Sequence, residues 1–332
     1  MNKNIILASY LIFLILMICV GYLDLATPLL AVLFSLFALQ LLRSVNRQKI
    51  VAISLFVILV LGIFTGFVSF INISVNDLPK IIEDSIPAVL DLAKKYEVDL
   101  PFSDIGDIKA LTGQALKDQL GKLARFAQVA TMEFVYLIIG LVVAISLFIN
   151  SQIDLDKDKH RIKNNLYSLV STELARRFRS LYQSFSIVMG AQLVISTINT
   201  ICTGIFIFLL GLPYFALIVV ITFLCGLLPI VGNIISNTII FAVAIRISLE
   251  YAIIVLVFLI VLHKFEYFLN GKIIGGRIKN PMWLTLLALI IGQRVLGVPG
   301  MILAPVVLYY LKLEGTKYEV EILAPKQATT PP

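Results

Sequence analysis

The sequence predicts an all-α integral membrane protein of about eight membrane segments, two of them re-entrant hairpins in an inverted repeat. Three observations carry that expectation. Apolar runs recur from one end of the 332-residue chain to the other, and only 14% of residues are charged, against about 25% in soluble domains. The runs are long and continuous, which reads as helices rather than the period-2 strands of a membrane barrel. Two runs fit neither one span nor two, and both are broken by proline or glycine.

The first run, residues 5–20, begins near the N-terminus like a signal peptide. No A-x-A site follows, Ile18 stands before Cys19 where a lipobox needs a small residue, and a second run begins near Thr27. An uncleaved first helix is therefore expected. The next spans are expected at 27–42 and 50–71. Residues 72–131 are more polar, but Leu78, Ile82, Ile86, Val89, Ala93 and Tyr96 share one helical face. Ile108, Leu111, Ala115 and Leu123 suggest a second helix. This segment reads as an extracytoplasmic arm with a structural or oligomer-contact role.

A fourth span is expected at 132–149, a charged loop at 150–184 and a fifth helix at 185–210. The run 214–245 is too long for one span of about 20 residues and too short for two. It is broken by Pro229 and Gly232 in "CGLLPIVGNIISN". A further span follows at 247–269. The run 283–311 repeats the odd length and is broken at "GVPG". The tail "APKQATTPP" is expected to be disordered. The chain thus divides into helices 1–71, the arm 72–131, a helix and basic loop 132–184, a transport core 185–312 and a tail 313–332.

Charge placement tests how the odd runs sit. Net charge is +7, and short basic loops mark the cytoplasmic side. Arg43, Arg47 and Lys49 place one loop inside. The loop around Asp24, without Lys or Arg, lies outside. Lys157, Lys159, Arg161, Lys163, Arg176, Arg177 and Arg179 place the loop 150–184 inside. All three agree with a cytoplasmic N-terminus. If 214–245 crossed once, the loop carrying Lys272, Arg277 and Lys279 would fall outside, against the rule. If 214–245 enters and leaves on the outer side, that loop is cytoplasmic, and 283–311 becomes a second hairpin entering from the cytoplasm. The C-terminus stays inside. A helix plus outer hairpin, followed by a helix plus inner hairpin, is an inverted repeat of the kind secondary transporters use. Eight plain spans are the alternative.

Several function classes are excluded by pattern. The basic residues sit in loops beside apolar runs, so no nucleic-acid partner is expected. Cys19, Cys202 and Cys225 lie in apolar runs without metal-ligand spacing. Two histidines and the absence of an H-E-x-x-H, P-loop or G-x-S-x-G motif argue against an enzyme or a cofactor. Energy for transport would then come from an ion or solute gradient.

Polar residues inside the runs are the pathway candidates. Gln192, Ser196, Asn199 and Thr203 fall within about 60° on one helical face. His263, Glu266 and Asn270 do the same, and Glu266 is suited to bind a proton or cation with His263 titrating nearby. At the first break, Pro229 and Gly232 free backbone carbonyls, while Asn233, Ser236 and Asn237 stand at the start of the following helix. In "GQRVLGVPG", Gln293 and Arg294 precede Gly297, Pro299 and Gly300. A charge at bilayer depth costs about 2.5–3.5 kcal/mol or more, so Arg294 is read either as an anion-binding or gating residue at the hairpin tip, helped by half-helix N-termini, or as an interfacial arginine or one that bonds carbonyls of its own hairpin. Gly297 and Gly300 make the reversal.

The stretches "LLGLPYFALIVVITFLCGLLPIVGN" and "GQRVLGVPGMILAPVVLYYLK" resemble the AI-2E family of transporters, which includes autoinducer-2 exporters and proposed sodium/proton antiporters. Gln192, Glu266 and Pro281 also stand where that family has such residues. The resemblance covers nearly the whole chain in layout and residues 185–312 in motif. Asn233 departs from it where proline is common, and "FLNGKIIGGRI" replaces the usual asparagine–leucine–proline stretch. The resemblance implies a multi-pass protein of the bacterial cytoplasmic (inner) membrane, a homo-oligomer for which a pentamer is the expectation, with an elevator-like movement. The expected function is export of a small polar solute similar to autoinducer-2. The alternatives are a cation/proton antiporter using Glu266 and a non-transporting membrane scaffold.

Overall fold

The computed structural model describes residues 3–95, 134–150, 165–228, 231–273 and 281–317. These form nine helices: α1 (Lys3–Tyr22), α2 (Ala26–Val45), α3 (Lys49–Lys95), α4 (Phe134–Ile149), α5 (Leu166–Leu210), α6 (Phe215–Gly226), α7 (Val231–Ile247), α8 (Leu249–Ile273) and α9 (Met282–Gly315). Six are long and apolar enough to cross a bilayer, and α4, α6 and α7 are shorter apolar helices. Leu7, Leu11, Leu14, Ile15 and Ile18 on α1 and Ile58, Leu61 and Ile63 on α3 are exposed. That is the surface a helix offers to hydrocarbon once its backbone bonds are closed internally.

Both odd runs double back. Helix α6 has 12 residues and α7 has 17, so they extend about 18 and 25 Å. Each falls short of a hydrocarbon core of about 30 Å. Their feet meet where Arg246 Nη1 donates to Tyr214 OH at 2.9 Å. At the other end, a Cβ on Gly232 would overlap the backbone of Cys225. In α9 the reversal is at Gly297, with φ 63° and ψ −146°. Glycine adopts that left-handed backbone without the penalty a Cβ brings. Gly292 and Gly300 then touch, carbonyl against α-carbon, and the Ala304 methyl lies 3.3 Å from where a Gly292 Cβ would sit. In a straight helix residues 292 and 304 would stand about 18 Å apart. We call α6–α7 hairpin 1 and α9 hairpin 2; eight plain spans are not what the chain forms.

The units are also inverted in direction. Phe206 of α5 stacks on Phe258 of α8 at 3.7 Å, and Asn199 lies beside His263 and Glu266 in one cleft. Pairs whose numbers run in opposite order mean that α5 and α8 are antiparallel. Each carries its hairpin at its C-terminal end.

Three boundaries differ from the sequence reading: α9 runs to Gly315, three residues into the expected tail 313–332, and buries Glu314 there, and two helices are longer than expected. The fifth helix begins at Leu166, so half of the expected loop 150–184 is helical. Asn165 caps it by accepting from the Ser168 backbone N–H at 2.8 Å. Glu173, Arg177, Ser180 and Ser184 form a buried polar face along this extension. Likewise α3 continues without a break past residue 71 to Lys95. Beyond the span its buried positions are Ser74, Ile81, Ser85 and Leu90. Leu78 packs with Ile81 against the foot of hairpin 1, while the Ile82 side chain lies outside the described residues. Residues 96–133, including the second helix expected there, and the tail from 318 are outside them too.

Three cores hold the helices. Phe13 of α1, Leu30 and Leu33 of α2, Phe185 and Met189 of α5 and Val306 and Tyr310 of α9 share one. Ile207, Leu217, Ile218, Ile240, Val243, Val255 and Ile81 share a second around hairpin 1. Leu39, Ala52, Phe56 and Phe148 join α2, α3 and α4 in a third. A charged cluster completes the first. Arg177, 1% exposed, donates to Glu314 Oε2 at 2.6 Å and to Glu173 Oε2 at 3.4 Å. Its guanidinium lies 3.9 Å from the centre of the Tyr10 ring. Tyr10 OH also donates to Glu314, at 2.6 Å.

Candidate functional site

Hairpin 1 leaves carbonyls at the end of α6 without a helical donor, because the helix stops at Gly226. Helix α5 supplies the donors. Ser196 Oγ donates to the Phe223 carbonyl at 2.8 Å, and Gln192 Nε2 donates to the Gly226 carbonyl. A Cβ on Gly226 would run into Ser196 Oγ, so this seat takes glycine. Gln192 and Ser196 therefore spend their polar groups holding the hairpin.

One turn further along α5 the pattern changes. Asn199 is 6% exposed, and its Oδ1 has no partner. Thr222 of α6, equally buried, has an unpartnered Oγ1. Both residues, with Gly226, form one wall of a narrow cleft whose free volume, about 10 Å³, is about that of a single water. Thr203 is fully buried and unpartnered as well, but it does not reach the cleft lining.

The opposite wall comes from α7 and α8. Asn233, Ser236 and Asn237 face Leu259, Leu262, His263 and Glu266. Helices α7 and α8 are joined by Ser248 alone and run antiparallel. Asn233 Nδ2 thereby reaches both oxygens of Glu266, at 2.8 Å each. An amide nitrogen only donates, so both Glu266 oxygens act as acceptors in this contact. Ser236 turns its hydroxyl back to the Gly232 carbonyl at 3.2 Å. The cleft thus offers a carboxylate, an imidazole, an unpaired amide oxygen and an unpaired hydroxyl between apolar walls. Such a set can bind a hydroxylated solute or coordinate a small cation with hard oxygens.

The structure brings together Asn199, Asn233, Asn237, His263 and Glu266, with Gln192, Ser196 and Gly232 supporting them. It does not bring Gln293, Arg294, Gly297 or Gly300 to this cleft. Gln293, Arg294 and Gly297 are exposed, and Arg294 has no hydrogen bond to any described residue. Gly300 is buried against Gly292. Pro229 and the side chain of Asn270 lie outside the described residues. Sequence reasoning missed Thr222, which sits in an apolar run with only Thr222 to mark it. It also missed the Glu173–Arg177–Glu314 cluster, whose one local sign is an acid and a base four residues apart.

With this geometry in view, comparison with known proteins gives two findings. A family model described as "AI-2E family transporter" matches residues 5–313. The protein named "Putative transport protein YdbI" from Bacillus subtilis (strain 168) is 26% identical over 149 residues, 44% of this chain and 43% of that protein. The match therefore spans less than half of that relative's length.

Proposed function

The chain belongs to the AI-2E transporter family and is a multi-pass membrane transporter; from that premise we propose that it exports a small polar solute through the cleft between α5–α6 and α7–α8. The observation that carries this reading is that Asn199 and Thr222, whose side-chain oxygens are buried and unpartnered, line one cleft with Glu266. A buried polar group without a partner costs about 1–3 kcal/mol. That cost is offset when a hydroxylated solute completes the bonds. Two broken helices carried by antiparallel helices support alternating access, with an elevator-like movement of the core. On this reading the protein sits in the bacterial cytoplasmic membrane as a homo-oligomer, with both termini inside. The basic residues Arg43, Arg47 and Lys49 beside α2 and α3 support that orientation.

A second reading, cation/proton antiport, is favoured by Glu266 itself: an ionisable group inside a membrane helix, lining one cleft with His263, Asn199 and Thr222. Flux into proteoliposomes separates the readings. Saturable autoinducer-2 transport that survives loss of a sodium gradient and falls in Asn199→Ala supports solute export. Sodium-driven proton movement that collapses in Glu266→Gln, without autoinducer-2 flux, overturns export in favour of antiport. Absence of both fluxes overturns transport through this cleft.

A further inference from the structure

Hairpin 2 is held unequally along its two limbs. In residues 298–315, Met301, Leu303, Ala304, Val306, Tyr309 and Tyr310 are buried, most of them in the core shared with α1, α2 and α5. The foot of this limb carries Glu314, 5% exposed. Glu314 accepts from Arg177 of α5 and Tyr10 of α1, both at 2.6 Å. Lys317, just beyond, donates to Ser180 of α5 at 2.8 Å. A buried charge cluster of this kind is costly to assemble and costly to break from one side, so it fixes one arrangement of the elements it joins.

Half-buried Leu296, next to the turn, packs on the core shared with α1, α2 and α5, but among the described side chains of the other limb, residues 282–296, the one buried hydrophobic is Leu289. Its cluster partners, Met301 and Ala304, belong to the second limb of the same hairpin. Trp283 is 65% exposed, Ile290 65% and Val295 61%. Where the limbs cross, Gly292 meets Gly300 as bare backbone, so the buried side chains that join them are those of the small Leu289 cluster. The two limbs join through Gly297, whose backbone is left-handed and around which a Cβ would meet nothing within 4 Å. At the tip, Leu296 and Val295 rest near Gly21 at the end of α1.

We infer that hairpin 2 is a one-sided gate: residues 282–296 swing about Gly297, while residues 298–315 stay pinned to α5 and α1 by the Arg177–Glu314–Tyr10 cluster. This rests on the transport reading, and it gives Arg294 a place on the moving limb, three residues from the hinge. The cluster acts by position, far along the limb from the tip, and touches no cargo.

Paired spin labels on the full chain in lipid nanodiscs test this, with Cys19, Cys202 and Cys225 replaced by serine and flux retained. One pair joins Val194 of α5 to Ile290, the other Val194 to Val307. The 290 pair is expected to give a distance distribution at least about twice as broad as the 307 pair, or two populations whose weights shift when autoinducer-2 is added. The 307 pair stays narrow and unmoved. Glu314→Gln, which removes the charge and keeps the shape, should broaden the 307 pair to match the 290 pair. Tyr10→Phe, which removes one bond to Glu314, should do so in part and serves if Glu314→Gln does not insert. Equal widths in the two pairs of the unsubstituted cluster overturn the gate, as does movement of both limbs together. A narrow, unmoved 290 pair, as a second copy seated on that limb would produce, overturns it as well. A shift in the 290 pair without any solute, in a protein that moves no autoinducer-2, keeps the gate and overturns only the cargo.

Discussion

Hairpin 1 and hairpin 2 have the same plan and opposite support. Hairpin 1 is held along its length: Gln192 and Ser196 bond its tip, both limbs enter a core with α5 and α8, and Tyr214 and Arg246 close its foot. Hairpin 2 is held through one limb and at its foot, while its polar tip residues Gln293 and Arg294 face outward. The difference teaches where polarity is used. In hairpin 1 it is aimed inward, at stray carbonyls and at a cleft. In hairpin 2 it is gathered into a buried ionic anchor about 24 Å along the limb from the turn.

The comparison can be broken or sharpened by substitution. The largest effect is expected at the anchor. Arg177→Ala leaves Glu173 paired to Arg176 and Glu314 paired to Lys317 and should lower stability by about 2–3 kcal/mol, less than for a buried charge left unpaired, read by chemical unfolding in detergent. A loss near zero would mean that hairpin 2 has no anchor there. Next come the cleft residues. Asn199→Ala should cut flux about tenfold or more, worth at least about 1.4 kcal/mol, with the unfolding midpoint little changed. Loss of stability with unchanged flux would make Asn199 a packing residue. Arg294→Ala should reduce flux by less than about threefold, since no described residue depends on its charge, an effect under about 1 kcal/mol. A larger loss would move the cargo contact to hairpin 2 and erase the contrast. The smallest effect is expected at Gly62→Ala on α3, where an added methyl meets nothing within 4 Å. It should be neutral or stabilise by up to about 1 kcal/mol in the same unfolding measurement.

Much of the architecture was legible because membrane lengths are strict. A run of 32 or 29 residues, as at 214–245 and 283–311, with Gly232 or Gly297 near its middle has few ways to sit in a bilayer. The start of α5 was not legible, because Arg176, Arg177 and Arg179 read as a solvated loop. Arg177 is buried between two glutamates that lie far apart in the chain. No local periodicity reports the partner of a buried charge when that partner is 137 residues away. The same limit hid the Asn233–Glu266 contact. Each residue stood out alone, but the bond between them depends on the single-residue turn at Ser248. Arg294 is the converse case: a charge in an apolar run signals an exception without saying which way it points.

The turn at Ser248 also makes α7 and α8 a two-pronged lever. Asn233 lies 15 residues before it and Glu266 18 after it, so the two prongs are about 22 and 27 Å long. A change of about 5° in the angle between them would displace the ends by about 2 Å, enough to part a hydrogen bond of 2.8 Å. What holds that angle is the core along the prongs, where Ile240 and Val243 pack with Val255 and Leu259, together with the Ser85 hydroxyl of α3, which donates to the Ala242 carbonyl at 2.8 Å. The Asn233–Glu266 contact is thus set by apolar packing well away from the cleft.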